Sequence, residues 1–246
     1  MKKILKTLVS TLVISILFCG QAALAFNGKG VDNSHQKFTR QALQILQNDK
    51  GNNISGFYNE YKDVLIEYSS KPDSDENQYI FAYHFYDPYT NKNYLPKNIK
   101  ASAITAKTKF TEHMKNAVDN YKTNKKFSIQ ELGRAIHFLE DVNVPHHAAN
   151  LIGGITSHSQ YEKYISGREE NYFVNTSNSY DKFKNYKFER YCTLILDECA
   201  KNANSYKNLA KSYRSEDWDV CARPTIKLCQ EDTASLLYRF EMEVTK

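Results

Sequence analysis

The densest potential for chemistry lies in the run His137-Phe138-Leu139-Glu140-Asp141-Val142-Asn143-Val144-Pro145-His146-His147-Ala148-Ala149-Asn150. His137 and Asp141 are four residues apart, so on a helix their side chains leave one face about a turn apart. An imidazole and a carboxylate so placed can grip one cation, or the carboxylate can bridge two. Pro145 breaks the helix and lets the histidines after it turn back toward the same space. A second pair with the same spacing follows, His158 and Glu162. Single histidines are usually surface or satisfied buried residues. Two His-x-x-x-acid pairs within 26 residues instead point to a metal centre. Mixed N and O donors suit zinc, in sites that keep one position open to water.

Two more histidines can join them. His84 stands in His84-Phe85-Tyr86-Asp87-Pro88, and His35 lies just before the first helical pattern. His113 falls in mid-helix and reads as structural or exposed, and His146 matches no ligand spacing.

The elements that must carry these residues are helical. Apolar positions recur at helical period over 36–49 and 55–70, the second stopped by Lys71-Pro72. Asp73 to Pro96 is polar, aromatic and turn-rich, which predicts a long ordered loop of functional kind. Helices are expected over 98–123, from a capping box at Ser128-Ile129-Gln130-Glu131 to just before Pro145, and over 158–168, 185–212 and 224–243. No sustained β-alternation, repeat or linker appears, so the expectation is an all-α fold in a single compact multi-helix domain.

The N-terminus reads differently. Lys2, Lys3 and Lys6 precede an apolar run from Leu8 to Phe18, and Ala23-Leu24-Ala25 has the small-x-small pattern of a signal-peptidase site. That run is too short to span a membrane, and no second one follows. Cleavage after Ala25 leaves a secreted chain, 26–246, that begins at Phe26. Its loss removes three lysines and no acid, lowering the formal charge from +5 to about +2. So neutral a balance gives no support for a nucleic-acid binder held by charge. Cys192, Cys199, Cys221 and Cys229 remain, an even number in an exported chain, which predicts two disulfides. Cys192 and Cys199 are too far apart on one helix to pair with each other, roughly 10 Å. Matching spacings on two antiparallel helices favour Cys192–Cys229 and Cys199–Cys221.

The stretch from His137 to Asn150 resembles the motif of the bacterial zinc-dependent phospholipases C: His, aromatic, x, small residue, Asp, aliphatic, two residues, Pro, x, His, then a small residue and Asn. Here Phe138 stands where Tyr is usual and Glu140 where Gly or Thr is usual. The likeness extends to Asn33-Ser34-His35, to Phe81-Ala82-Tyr83-His84-Phe85-Tyr86-Asp87-Pro88 and to Glu162.

The resemblance implies three zinc ions. Asp73, His84, His137 and Asp141 would hold one, and His147, His158 and Glu162 a second. The third would use His35, Asp141 as a bridge, and the α-amine and carbonyl of Phe26. Asp73 would also steer the proton of the attacking water, and Phe81 would face the lipid headgroup, where a quaternary ammonium can meet an aromatic face. The implied activity is phosphodiester hydrolysis of phospholipids at a membrane surface, giving diacylglycerol and a phosphorylated headgroup, by a monomer with no nucleic-acid partner. A chain ending in helices at Lys246 leaves no place for the C-terminal β-domain of the larger family toxins, so calcium-dependent docking is not expected. Two other readings compete: a secreted zinc single-strand nuclease, and a zinc-binding surface protein without turnover. His158 paired with Glu162 rather than Asp, and the Ala148-Ala149-Asn150 ending, speak against the nuclease.

Overall fold

The computed structural model describes residues 32–51 and 56–246. The signal segment, the Ala25–Phe26 junction and Phe26 as a ligand lie outside the described residues. Among the described residues, seven helices of seven residues or more carry the fold: α1 (Ser34–Lys50), α2 (Lys62–Tyr68), α3 (Ala106–Asn120), α4 (Lys125–Asp141), α5 (His158–Ile165), α6 (Phe188–Ser205) and α7 (Ser215–Val244). Among the described residues there is no strand, only one antiparallel bridge between Asp87 and Lys92. None of their helices is long and apolar enough to cross a membrane.

The core forms where α3, α4, α6 and α7 meet, around Phe110, Leu132, Ile136, Ile195, Leu237 and Phe240, all with no measurable exposure. α2 packs closely across α4 at Gly133. A Cβ there would stand 2.7 Å from the Leu65 carbonyl oxygen and 2.8 Å from Tyr68 Cβ. α7 is buried on every side from Cys229 to Leu237, so it forms the hidden axis of the molecule.

Several boundaries differ from expectation for clear reasons. The loop from Asp73 contains single helical turns at Pro72–Asp75 and Gln78–Phe81, followed by a tight turn at Ala82–His84. α4 starts at an Asn124 cap, whose side chain accepts from Phe127 N at 3.1 Å. Ser128, the expected cap, is instead interior and donates to Ala117 O of α3 at 2.6 Å. The helix expected over 224–243 begins nine residues earlier, at Ser215, and keeps Pro224 inside. Trp218, Cys221, Ala222 and Ile226 share one buried cluster there, and that burial offsets the lost hydrogen bond.

The expected disulfides do not form. All four described cysteines are buried free thiols. Cys199 Sγ donates to Asp232 Oδ2 at 3.3 Å, and Tyr191 OH to Ser235 Oγ at 3.0 Å. This register sets Cys199 opposite the stretch near Asp232, about three turns along α7 from Cys221. It likewise carries Cys192 past Cys229. The spacings matched, but the helices pair at a different offset.

Candidate metal centre

Each candidate ligand is delivered by a separate local device. The Asn33 side chain caps α1 by accepting from Gln36 N at 3.1 Å, which places His35 in the first, inward-facing turn. α4 ends by presenting His137 and Asp141 on one face. Pro145 opens a single turn, Pro145–Ala148, that returns His147 to the same basin. α5 begins at His158, so His158 and Glu162 share its inner face. Asp73 follows Pro72 in its short turn, and His84 closes the turn after Phe81. Tyr86 N donates to His147 O at 3.1 Å, and His147 Nδ1 bonds His84 O at 2.9 Å, tying the two segments together.

The side chains converge. His84 Nδ1 lies 2.8 Å from Asp141 Oδ2, 3.8 Å from Asp73 Oδ1 and 3.0 Å from His137 Nε2. His137 Nε2 is 3.2 Å from Asp141 Oδ2 and 3.6 Å from Asp73 Oδ1. His35 Nε2 sits 3.8 Å from Asp141 Oδ1 and 3.9 Å from Asp73 Oδ2. At the other end, His158 Nε2 is 2.8 Å and His147 Nε2 3.5 Å from Glu162 Oε1, while His147 Nδ1 is 4.0 Å from Asp141 Oδ1. Three donor groups emerge, the first two sharing His137: His35 with His137 and Asp141; Asp73 with His84 and His137; His147 with His158 and Glu162. The eight expected side-chain ligands are all buried.

The basin is electrostatically unfinished without a cation. Neither Asp73 oxygen nor Asp141 Oδ1 accepts a hydrogen bond, and each is shielded from water. Burial raises the Asp73 carboxyl to about 7, although His137 and His84 pull against it. Burial would lower the His137 imidazole, but the charges of Asp141 and Asp73 lift it to about 10. Asp141 also resists burial, held well below the usual carboxylate range by His137, His147 and His84. Burial lowers His35 and takes His158 down to about 3. Orphaned carboxylate oxygens among imidazole nitrogens are the donor set of zinc at neutral pH, so the residues fit the metal.

Outer partners fix the rings. His137 Nδ1 bonds Ser69 O at 2.8 Å, and His84 Nε2 meets Glu76 O at 3.2 Å. Sequence reasoning did not find these carbonyls, because a backbone acceptor leaves no signature in residue type, whether 68 residues away, as Ser69 from His137, or eight, as Glu76 from His84. It also took Glu140 only as a departure from a motif. Glu140 is fully buried and bonds His35 Nδ1 at 2.6 Å. Phe81 is buried with its ring edge-on to His84 at 5.4 Å, on a left-handed backbone (φ 61°) that is strained for a bulky residue. His146 stays out of the donor groups and stacks on His158, with ring centroids 4.9 Å apart. His113 is structural, its two nitrogens held at 3.0 Å by Glu131 and Glu76.

The family described as zinc dependent phospholipase C matches residues 34–206. A protein named phospholipase C from Clostridium novyi is 30% identical over all of this chain and 68% of its own length. One of the same name from Paraclostridium bifermentans is 31% identical over 92% of this chain and 63% of its own. The solved alpha toxin from Clostridium absonum superposes with a TM-score of 0.78 at 27% identity, covering 90% of this chain and 65% of the toxin. The chain therefore spans about two thirds of the length of these relatives.

Proposed function

This chain belongs to the zinc-dependent phospholipase C family, hydrolases of all-helical fold, and we propose that it cleaves the headgroup phosphodiester of phospholipids with a cluster of three zinc ions. One observation carries the reading: eight buried donors from six separate segments meet in one basin where both Asp73 oxygens and Asp141 Oδ1 accept no hydrogen bond. A merely structural centre would close its coordination, whereas this one joins several groups through Asp141.

Asp73, His84, His137 and Asp141 would hold one ion, and His147, His158 and Glu162 another. His35 and Asp141, with the amine and carbonyl of Phe26, would hold the third. Bound zinc would neutralise the phosphate oxygens and supply a water acidic enough to ionise near neutral pH. The protein's own contribution is orientation. Ser69 and His84 carbonyls lock the His137 and His147 rings, so their Nε2 atoms face inward. Asp73, with both oxygens unengaged by donors, is the group best placed to accept the water's proton. Phe81 lines the basin beside His84 and offers its ring to a headgroup. We further propose that the chain is secreted after cleavage behind Ala25 and acts as a monomer on a lipid surface. The nuclease and non-catalytic readings gain nothing from the relatives, whose names are phospholipase C.

Incubating the chain that starts at Phe26 with phosphatidylcholine vesicles and with single-stranded DNA tests this directly. Phosphocholine release without nucleotide release is the expected result. Nucleotide release with intact lipid would replace the proposal with the nuclease.

A further inference from the structure

Four histidines of the basin are steadied from behind, but not alike. His137, His147 and His84 each lean on a neutral backbone carbonyl, at 2.8 Å, 2.9 Å and 3.2 Å. His35 leans on a carboxylate. Its Nδ1 lies 2.6 Å from Glu140 Oε2, and Thr39, one turn further along α1, donates its hydroxyl to Glu140 Oε1 at 3.0 Å. All three side chains are fully buried. Glu140 precedes Asp141 in α4, so one helical end supplies both the acid in front of His35 and the acid behind it.

We infer that Glu140 is a positioning residue for the metal at His35, clamping the ring by Nδ1 so that Nε2 is presented to Asp141 and Asp73. The inference rests on the zinc reading above. A carboxylate behind an imidazole does more than a carbonyl. It selects the tautomer that leaves Nε2 as the donor, makes that nitrogen more basic, and adds negative charge behind the cation. Thr39 holds the second Glu140 oxygen, which fixes the carboxylate plane. The effect is local. His84, His137 and His147 have other supports and His158 does not touch Glu140, so only the ion at His35 should feel it.

The test measures zinc retained per chain during dialysis against rising concentrations of a competing chelator, for the chain beginning at Phe26 and for its Glu140→Gln and Thr39→Val variants. Gln keeps the size and one acceptor but loses the charge. Glu140→Gln should release one zinc at roughly 10–100-fold lower chelator than the unaltered chain, with the remaining ions released as before. Thr39→Val should move the same ion in the same direction by a smaller factor. A purely structural role predicts another pattern: a lower melting temperature in the metal-free state and weaker retention of every ion. Either that pattern or unchanged retention in both variants overturns the inference. Should Glu140→Gln fail to fold, Thr39→Val decides alone, a selective shift supporting and no shift overturning. If the unaltered chain binds no zinc, the functional reading itself falls, and this inference with it.

Discussion

Asp141 and Asp232 are both carboxylates at the centre of the molecule, and neither is exposed to any measurable degree. Around Asp232 the fold is finished: Lys182 Nζ donates at 3.1 Å and Cys199 Sγ at 3.3 Å. Around Asp141 it is not, since Oδ1 has no donor and imidazole nitrogens crowd the other oxygen. Burying a charge is tolerable only with a partner. The C-terminal helices carry their partners within the chain, whereas the basin at the end of α4 leaves a place for cations. Equal burial with opposite completion separates structural polar groups from functional ones.

Substitution at Asp73 gives the largest expected effect. Asp73→Asn should lower kcat by about 10²- to 10⁴-fold. In the metal-free chain it should raise the melting temperature, because an unpartnered buried carboxylate is removed. Paired calorimetry and lipid-hydrolysis assays read both, and a metal-free chain destabilised by the change would break the comparison. Asp232→Asn should do the reverse. It should cost about 2–3 kcal/mol in denaturant unfolding with zinc retained, because Lys182 and Cys199 lose an ionised acceptor. Thiol titration of the same unfolded chain, without reductant, should count all four of Cys192, Cys199, Cys221 and Cys229.

Gly133→Ala probes the joint between the two regions. Alanine favours helix by about 1 kcal/mol. Its Cβ would nevertheless press on the Leu65 carbonyl at 2.7 Å, so a net loss of about 1–2 kcal/mol is expected. Ser69, whose carbonyl holds His137, lies one turn beyond Leu65, so zinc retention should weaken together with stability.

The smallest effect is a pH slope at the far end of α7. Burial raises the Glu241 carboxyl from 4.5 to about 7. Below pH 4.5 the group is protonated in both states and stability is unaffected. As pH climbs from 4.5 through 7, the folded state holds the proton that the unfolded state has released, and stability is lost. Glu241→Gln should flatten that part of a melting-temperature profile, and an unchanged slope would assign it elsewhere.

Local chemistry was the legible part of the sequence. His137 with Asp141 and His158 with Glu162 rest on helix period alone, and the structure brings both pairs into the basin with Asp73, His84, His35 and His147. The all-helical class followed from the same periodicity. Relations between distant helices were harder to read. The cysteine spacings suited two bridges, but nothing local sets the offset at which α6 meets α7, and side chains such as Tyr191 and Cys199 decide it. Glu140 shows the same limit. Its partner lies 105 residues away, so sequence reveals an unusual acid but not the imidazole it supports. The helix start expected at 224 and the cap expected at Ser128 failed for a related reason, since tertiary burial overrode local preference.

The central claim is that the basin acts only when cations complete it. The most direct measurement strips the chain beginning at Phe26 with chelator, restores zinc in counted equivalents, and follows phosphocholine release from phosphatidylcholine vesicles. The account predicts no release from the stripped chain and recovery that saturates near three equivalents of bound zinc, a number taken from the proposed ligand sets. Undiminished hydrolysis by the stripped chain would contradict it.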